Sequence, residues 1–173
     1  MEHFYPGHKH SWHLIECIDV PENFQEEKVI RCRIEYNAHL FSIHYYPYVS
    51  RQIHSIKMVP LPNEFDYRYK YADRKLIEDL YDQRDGADEI LMVKDGWITD
   101  TSIANIALSK NGKWYTPSIP LLAGTTWKRL IHAGSLIPKP IHATDMGNFD
   151  TFRIFNAMNS FNEAEEIPIK NIN

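Results

Sequence analysis

The chain has 173 residues, 43% of them hydrophobic and 24% charged, with a formal net charge of −4. That size and balance fit one compact domain or two small lobes sharing a core, and the acidity without a basic stripe argues against a protein that tracks nucleic-acid phosphates. Cys17 and Cys32 are too few to staple such a domain and suit a reducing cytoplasm, no apolar run reaches the length of a membrane span, and the first residues lack the basic and apolar regions of a signal peptide.

The first 21 residues carry His3, His8, His10 and His13. Clustered imidazoles suggest a transition-metal site. Against this, Pro6 and Gly7 break any helix that would align the rings, and no carboxylate or thiolate stands at ligand spacing, so no metal is expected. Residues 28–48 have the pattern of a hairpin. Ile30, Cys32, Ile34 and Tyr36 alternate with Val29, Arg31, Arg33 and Glu35, and the turn falls at 37–39. Period 2 puts Arg31 and Arg33 on one face, where they either receive a carboxylate substrate or form a solvated surface. A further strand is expected over 51–59. Pro60 and Pro62 then mark a boundary, dividing the chain into 1–62 and 63–173.

Residues 64–70 are aromatic and end at Lys70, which is flanked by tyrosines. Such a lysine is either a surface residue with its stem packed on rings or a nucleophile. Asp73 is a candidate N-cap for a helix closed by Gly86, with Leu76, Ile77, Leu80 and Tyr81 as its apolar stripe. From 86 to 126 the sequence predicts four strands in two tight hairpins, at Asp95-Gly96 and Asn111-Gly112, because these residues tolerate positive φ. Two polar groups interrupt this run, at 99–102 and 124–126. The second opens a short helix with Trp127, Leu130 and Ile131 facing inward and Gly134 at its end. The free N–H groups at its start favour a phosphate or carboxylate, although an ordinary Thr cap has the same sequence. Residues 137–142, with Pro138 and Pro140, suit only an edge strand. One turn follows at 145–150, then a buried strand ending at Asn156, and a frayed acidic tail is expected from 163.

Lys70, Asp100 and the Gly124 turn, taken together, resemble the class IV, fold type IV aminotransferases, the family of branched-chain and D-amino-acid aminotransferases and of aminodeoxychorismate lyase. The K-x-L-N-R segment of that family is similar to Lys70-Tyr71-Ala72-Asp73-Arg74, and its G-A-D-E-x-L to Gly86-Ala87-Asp88-Glu89-Ile90-Leu91. Its T-E-G-S-x-S-N is matched by Thr99-Asp100-Thr101-Ser102-Ile103-Ala104-Asn105. Its Y-T-P and G-I-T-R are matched by Tyr115-Thr116-Pro117 and Gly124-Thr125-Thr126-Trp127. The resemblance covers about residues 31–160 and looks closest to the short lyase-like members.

The resemblance implies an α+β fold, with a small N-terminal lobe, here incomplete, and a larger lobe of curved strands flanked by helices, as a homodimer. It implies pyridoxal 5'-phosphate as cofactor and a small-molecule amino substrate, an amino acid or an amino-chorismate-like compound. Lys70 would form the Schiff base and shuttle the α-proton, and Asp100 would face the pyridine nitrogen. Gly124, Thr125 and Thr126 would cradle the phosphate, with Asn156 as a second phosphate contact and Arg74 near the phenolic oxygen. Asn105 would hold the crossing after Asp100, and Arg31 or Arg33 would orient a substrate carboxylate. Two departures stand out. Asp100 replaces the usual glutamate, and the family's F-E-x-x-R and H-x-x-R-L, which supply a phosphate-binding arginine, have no match in residues 1–29. The chain is therefore expected to begin after that segment, as a fragment or as a weak cofactor binder. Transaminase and lyase chemistry both remain open, and the alternative from another class is a non-catalytic family member that serves as a binding or interaction domain.

Overall fold

The structure is a computed structural model that describes residues 14–24, 29–37, 39–65 and 67–173. The histidines at 3, 8, 10 and 13 lie outside the described residues. Among those described, no three metal-ligating side chains gather at one point, and no helix is long and apolar enough to cross a membrane.

By its contacts the chain divides into two units, Met1–Ser50 and Arg51–Asn173. In the first unit, β1 (Ile30–Tyr36) and β2 (Phe41–Pro47) form the expected antiparallel hairpin, with Ile30 opposite Pro47 and Tyr36 opposite Phe41. The side chain of Asn37 closes the turn. Its Oδ1 accepts from the N–H groups of His39 and Leu40 at 2.8 and 2.9 Å, the local bonding that favours Asn in turns.

The second unit begins with β3 (Ile56–Pro60), which pairs in parallel with β4 (Glu89–Lys94). Between them runs α1 (Lys75–Tyr81), so the three make a βαβ unit. This pairing is why Arg51–Pro62 groups with the second unit by contact, rather than with the first as the proline-marked boundary at 62 suggested. β4 turns into β5 (Trp97–Thr101) through Asp95 and Gly96, both at positive φ (50° and 81°). A crossing at 102–104 leads to β6 (Asn105–Lys110), which turns into β7 (Lys113–Pro117) through Asn111 and Gly112, again both at positive φ. After α2 (Thr125–His132) come β8 (Ile137–Lys139), β9 (Thr151–Phe155) and β10 (Ile167–Pro168). One sheet has the order β3-β4-β5 and the other β10-β9-β6-β7-β8. The Pro-containing β8 sits at an edge, as a strand with missing donors must.

Alternation along the strands builds the layers. Ile56, Leu91 and Ile98 of one sheet share a core with Ile106, Leu108, Phe152 and Ile154 of the other. The opposite faces turn outward to the helices: Ile90 and Met92 pack with Ile77 and Leu80 of α1, and Ala107 and Phe155 pack with Trp127, Leu130 and Ile131 of α2. α2 ends as expected. Gly134, at φ 71°, donates to Ile131, and Ser135 donates to Leu130, which is the glycine-terminated cap that satisfies the last carbonyls.

Three expectations need correction. The apolar stripe of α1 excludes Leu76, which is 65% exposed, because the α-helix has only seven residues and turns only Ile77 and Leu80 fully inward. Its backbone cap is Arg74, while Asp73 Oδ1 accepts from the N–H of Lys75 at 2.9 Å. The tail after 163 is also ordered. Ile167 is buried opposite Phe152, and Glu166 accepts from Thr151 Oγ1 at 2.7 Å and pairs with Arg153 at 3.1 Å.

Candidate active site

Several candidate residues of the second unit bond at or beside the stretch where the chain passes from one sheet to the other. A crossing of three residues exposes backbone groups that must be satisfied if they are buried, and here side chains from distant segments do so. Thr101 donates its N–H and its Oγ1 to the carbonyl of Ala104, at 3.0 and 2.9 Å, and its Oγ1 accepts from the Ala104 N–H. The N–H of Ser102 donates to Glu89 Oε1 at 3.2 Å. The carbonyl of Ser102 accepts from Arg74 at 2.8 Å, and that of Ile103 accepts from Asn156 Nδ2 at 3.2 Å.

Asp100 precedes this crossing and is 4% exposed. Its Oδ1 accepts from Asn105 Nδ2 at 2.7 Å and its Oδ2 from the N–H of Leu122 at 2.9 Å. Burial pushes the carboxyl up to about 7, outweighing the hydrogen bonds from Leu122 and Asn105 that favour the charged form. Each carboxylate oxygen has a second lone pair, so the group still has acceptor capacity.

The bond to Leu122 ties Asp100 to the entry of α2. Gly124 is the N-cap of that helix and has no side chain to cap it, so the first N–H groups of α2, which lack intrahelical acceptors as in any helix, receive no side-chain cap from it. Thr125 is exposed. Thr126 is buried, and its Oγ1 donates to the carbonyl of Asn156 at 3.2 Å. Asn156 is a junction: its Oδ1 accepts from the N–H groups of Met158 and Asn159, both at 2.8 Å, while its Nδ2 holds Ile103. Arg74 splits its guanidinium between Ser102 and the hydroxyl of Tyr67, 3.2 Å away, and so links the segment containing Lys70 to the crossing. Lys70 itself is exposed, four positions before Arg74.

Asp100 is thus bonded to Asn105 and Leu122, Thr126 is bonded to Asn156, and Asn156 and Arg74 hold adjacent residues of the crossing, Ile103 and Ser102. Arg31 and Arg33 belong to the first unit. The Arg31 guanidinium lies 4.8 Å from the centroid of the Tyr46 ring, and Arg33 pairs with Glu35. A groove of about 620 Å³ lined by Ser55, Lys57, Arg84 and Asp85 contains none of the candidate residues. The sequence assigns no role to Glu89, although it stands in the matched motif at 86–91, nor to Tyr67 or the backbone of Leu122. The acid at the head of the otherwise apolar run EILMV was a signal for Glu89. A backbone donor leaves no trace in a residue name.

The class IV aminotransferase family model matches residues 38–172. The chain belongs to that family. A Haemophilus influenzae protein of unassigned function is 40% identical over 148 residues, 86% of this chain and 78% of that protein. Among solved structures, a Haemophilus somnus protein assigned as a 4-amino-4-deoxychorismate lyase superposes with a TM-score of 0.72 at 36% identity, covering 76% of this chain and 68% of that one. A Mesorhizobium loti protein assigned as an amino-acid aminotransferase shares the fold with a TM-score of 0.67 at 17% identity, covering 80% of this chain and 72% of that one. A branched-chain amino acid aminotransferase in complex with N-(5'-phosphopyridoxyl)-L-glutamate also shares the fold, with a TM-score of 0.56 at 15% identity, covering 68% of this chain and 46% of that one.

The class IV family depends on pyridoxal phosphate, and the residues present fit such a group. A buried acid with acceptor capacity suits a ring N–H. A helix start whose first N–H groups have no side-chain cap suits a phosphate.

Proposed function

We propose that this class IV aminotransferase family member binds pyridoxal 5'-phosphate and acts on a small amino substrate, an amino acid or an amino-chorismate-like compound, as a transaminase or lyase. The observation that carries the reading is the bonded path from Asp100 to the start of α2 through Leu122, which joins an acid for one end of the cofactor to an anion-binding turn for the other. Asp100 would hold the ring nitrogen, and Gly124, Thr125 and Thr126 the phosphate, with Asn156 fixing Thr126. Arg74 would keep the Lys70 segment against the crossing. When bound, the cofactor supplies an electron sink for negative charge at the substrate α-carbon. Lys70 would hold the cofactor and would take and return the proton at that carbon. Arg31 or Arg33 would receive a substrate carboxylate. The working form is a cytoplasmic homodimer.

A specific observation also favours a second reading, a non-catalytic member that acts as a binding domain. Asp100 is the shorter acid where the family has glutamate, and both of its oxygens already accept hydrogen bonds within the chain, from Asn105 and Leu122. One experiment separates the two. Purified protein mixed with pyridoxal 5'-phosphate should develop a visible absorption band, and borohydride should fix the label on the Lys70 peptide and leave Lys70→Ala unlabelled. Label on another lysine sinks the assignment of Lys70. A folded protein that stays colourless and is unchanged by amino donors supports the second reading.

A further inference from the structure

Asn105 makes more contacts than holding its own turn requires. It is buried at the first position of β6. Its Nδ2 donates both to Asp100 Oδ1 at 2.7 Å and to the carbonyl of Leu122 at 3.0 Å. The N–H of Leu122 in turn donates to the other oxygen of the same carboxylate at 2.9 Å. These three bonds close a ring through Asp100, Asn105 and the Leu122 backbone. Two residues later the chain reaches Gly124, where an added Cβ would stand 2.5 Å from Asn105 Oδ1. The φ of Gly124 is −61°, a value that any residue adopts. Space, and not backbone freedom, therefore requires glycine at this position.

We infer that Asn105 is a positioning residue that fixes the start of α2 relative to the Asp100 carboxylate, and that Gly124 lacks a side chain because Asn105 fills its Cβ volume. The inference rests on the cofactor reading above, in which these are the two ends of one ligand. A ligand held at both ends gains from simultaneous engagement only when the separation of the two holding groups matches its own length. A side chain bonded to both groups removes motion that binding would otherwise have to freeze.

The test compares the affinities of the protein for pyridoxal 5'-phosphate and for pyridoxal, which lacks the phosphate, by fluorescence titration of wild type and Asn105→Ala, with a thermal melt of each. The ratio of the two affinities should fall by about tenfold in the variant. A purely structural asparagine would lower the melting temperature and leave the ratio unchanged, which overturns the inference. Asn105→Ser gives the same comparison if Asn105→Ala does not fold. The second arm is a double-mutant cycle read from urea unfolding. Gly124→Ala should destabilise wild type and cost markedly less in Asn105→Ala, where the opposing side chain is gone. Additive effects also overturn the inference. If wild type binds neither ligand, the cofactor reading fails, and the cycle alone decides the positioning role: coupling upholds it and additivity ends it.

Discussion

Asp88 and Asp100 bracket the β4–β5 hairpin, yet their surroundings move them in opposite directions. Asp88 Oδ2 accepts from the N–H groups of His54 and Ser55 and from Ser55 Oγ, at 2.9 to 3.0 Å. These bonds, led by the one from His54, hold its carboxyl below the usual value. Asp100 also accepts hydrogen bonds, from Asn105 and Leu122, but has almost no solvent, and burial raises it. The difference lies in the balance between charge-favouring donors and desolvation. Asp88 joins the approach to β3 with the start of β4 and has the ionisation of a structural clamp. Asp100 has a titration near neutral pH, which suits a group that responds to a ligand.

The largest test of this contrast is the pH dependence of stability. Because the folded Asp100 lies above its ordinary value of 3.8, its contribution is fully present below about pH 4 and is lost as pH rises through 7. A rise from 3.8 to about 7 corresponds to about 4 kcal/mol. Urea midpoints measured from pH 4 to 8 should decline across this window in wild type, and Asp100→Asn should abolish the decline. A variant with the full slope would mean that another group carries it. Asp88 has the opposite sign: its contribution is present above pH 3.8 and is lost as pH falls through its lowered folded value. Asp88→Ala should cost about 2 kcal/mol at pH 7, with the deficit narrowing in strong acid. An equal deficit at pH 7 and pH 2 would break the comparison.

Two smaller effects sharpen it. Arg74→Lys should cost about 1 kcal/mol in chemical unfolding, because an ammonium cannot span Tyr67 and Ser102 as the planar fork does. It should also weaken binding of pyridoxal 5'-phosphate, while unchanged affinity would confine Arg74 to a fold role. In the first unit, Arg31→Ala and Arg33→Ala should each change stability by less than about 0.5 kcal/mol, since both side chains are exposed. Any role they have would appear as a raised KM for a carboxylate-bearing substrate, and unchanged kinetics would remove them from the site.

The legible parts of the sequence were those set by local chemistry. Asp95-Gly96 and Asn111-Gly112 impose positive φ, Gly134 ends α2, alternation marks β1, and an apolar run marks β9. The motif pieces around Lys70, Asp100 and Gly124 led to the family because their order survives in one dimension. The illegible parts depend on partners far away in sequence. The inward turn of the tail follows from Ile167 meeting β9. The shared acceptor of the Leu122 N–H and Asn105 is visible only once β5, β6 and the α2 entry are folded together. Glu89 has one oxygen bonded to Ser102 and Ile90 and the other without a partner, an arrangement that residue names cannot convey.

The outer edge of β3 is closed by residues 171–173. Ile56 bridges Ile172 in parallel, Asn173 exchanges backbone bonds with Ile56 and Met58, and Asn171 Nδ2 reaches the carbonyl of His54, 117 positions away. During synthesis β3 can meet β4 as soon as both have emerged from the ribosome, but its other edge must wait for residues 171–173. Contacts of such long separation close slowly, and an open strand edge is a template for pairing with other chains. A nascent chain stalled before residue 171 would therefore present a nearly complete sheet with one adhesive side, which residues 171–173 cover.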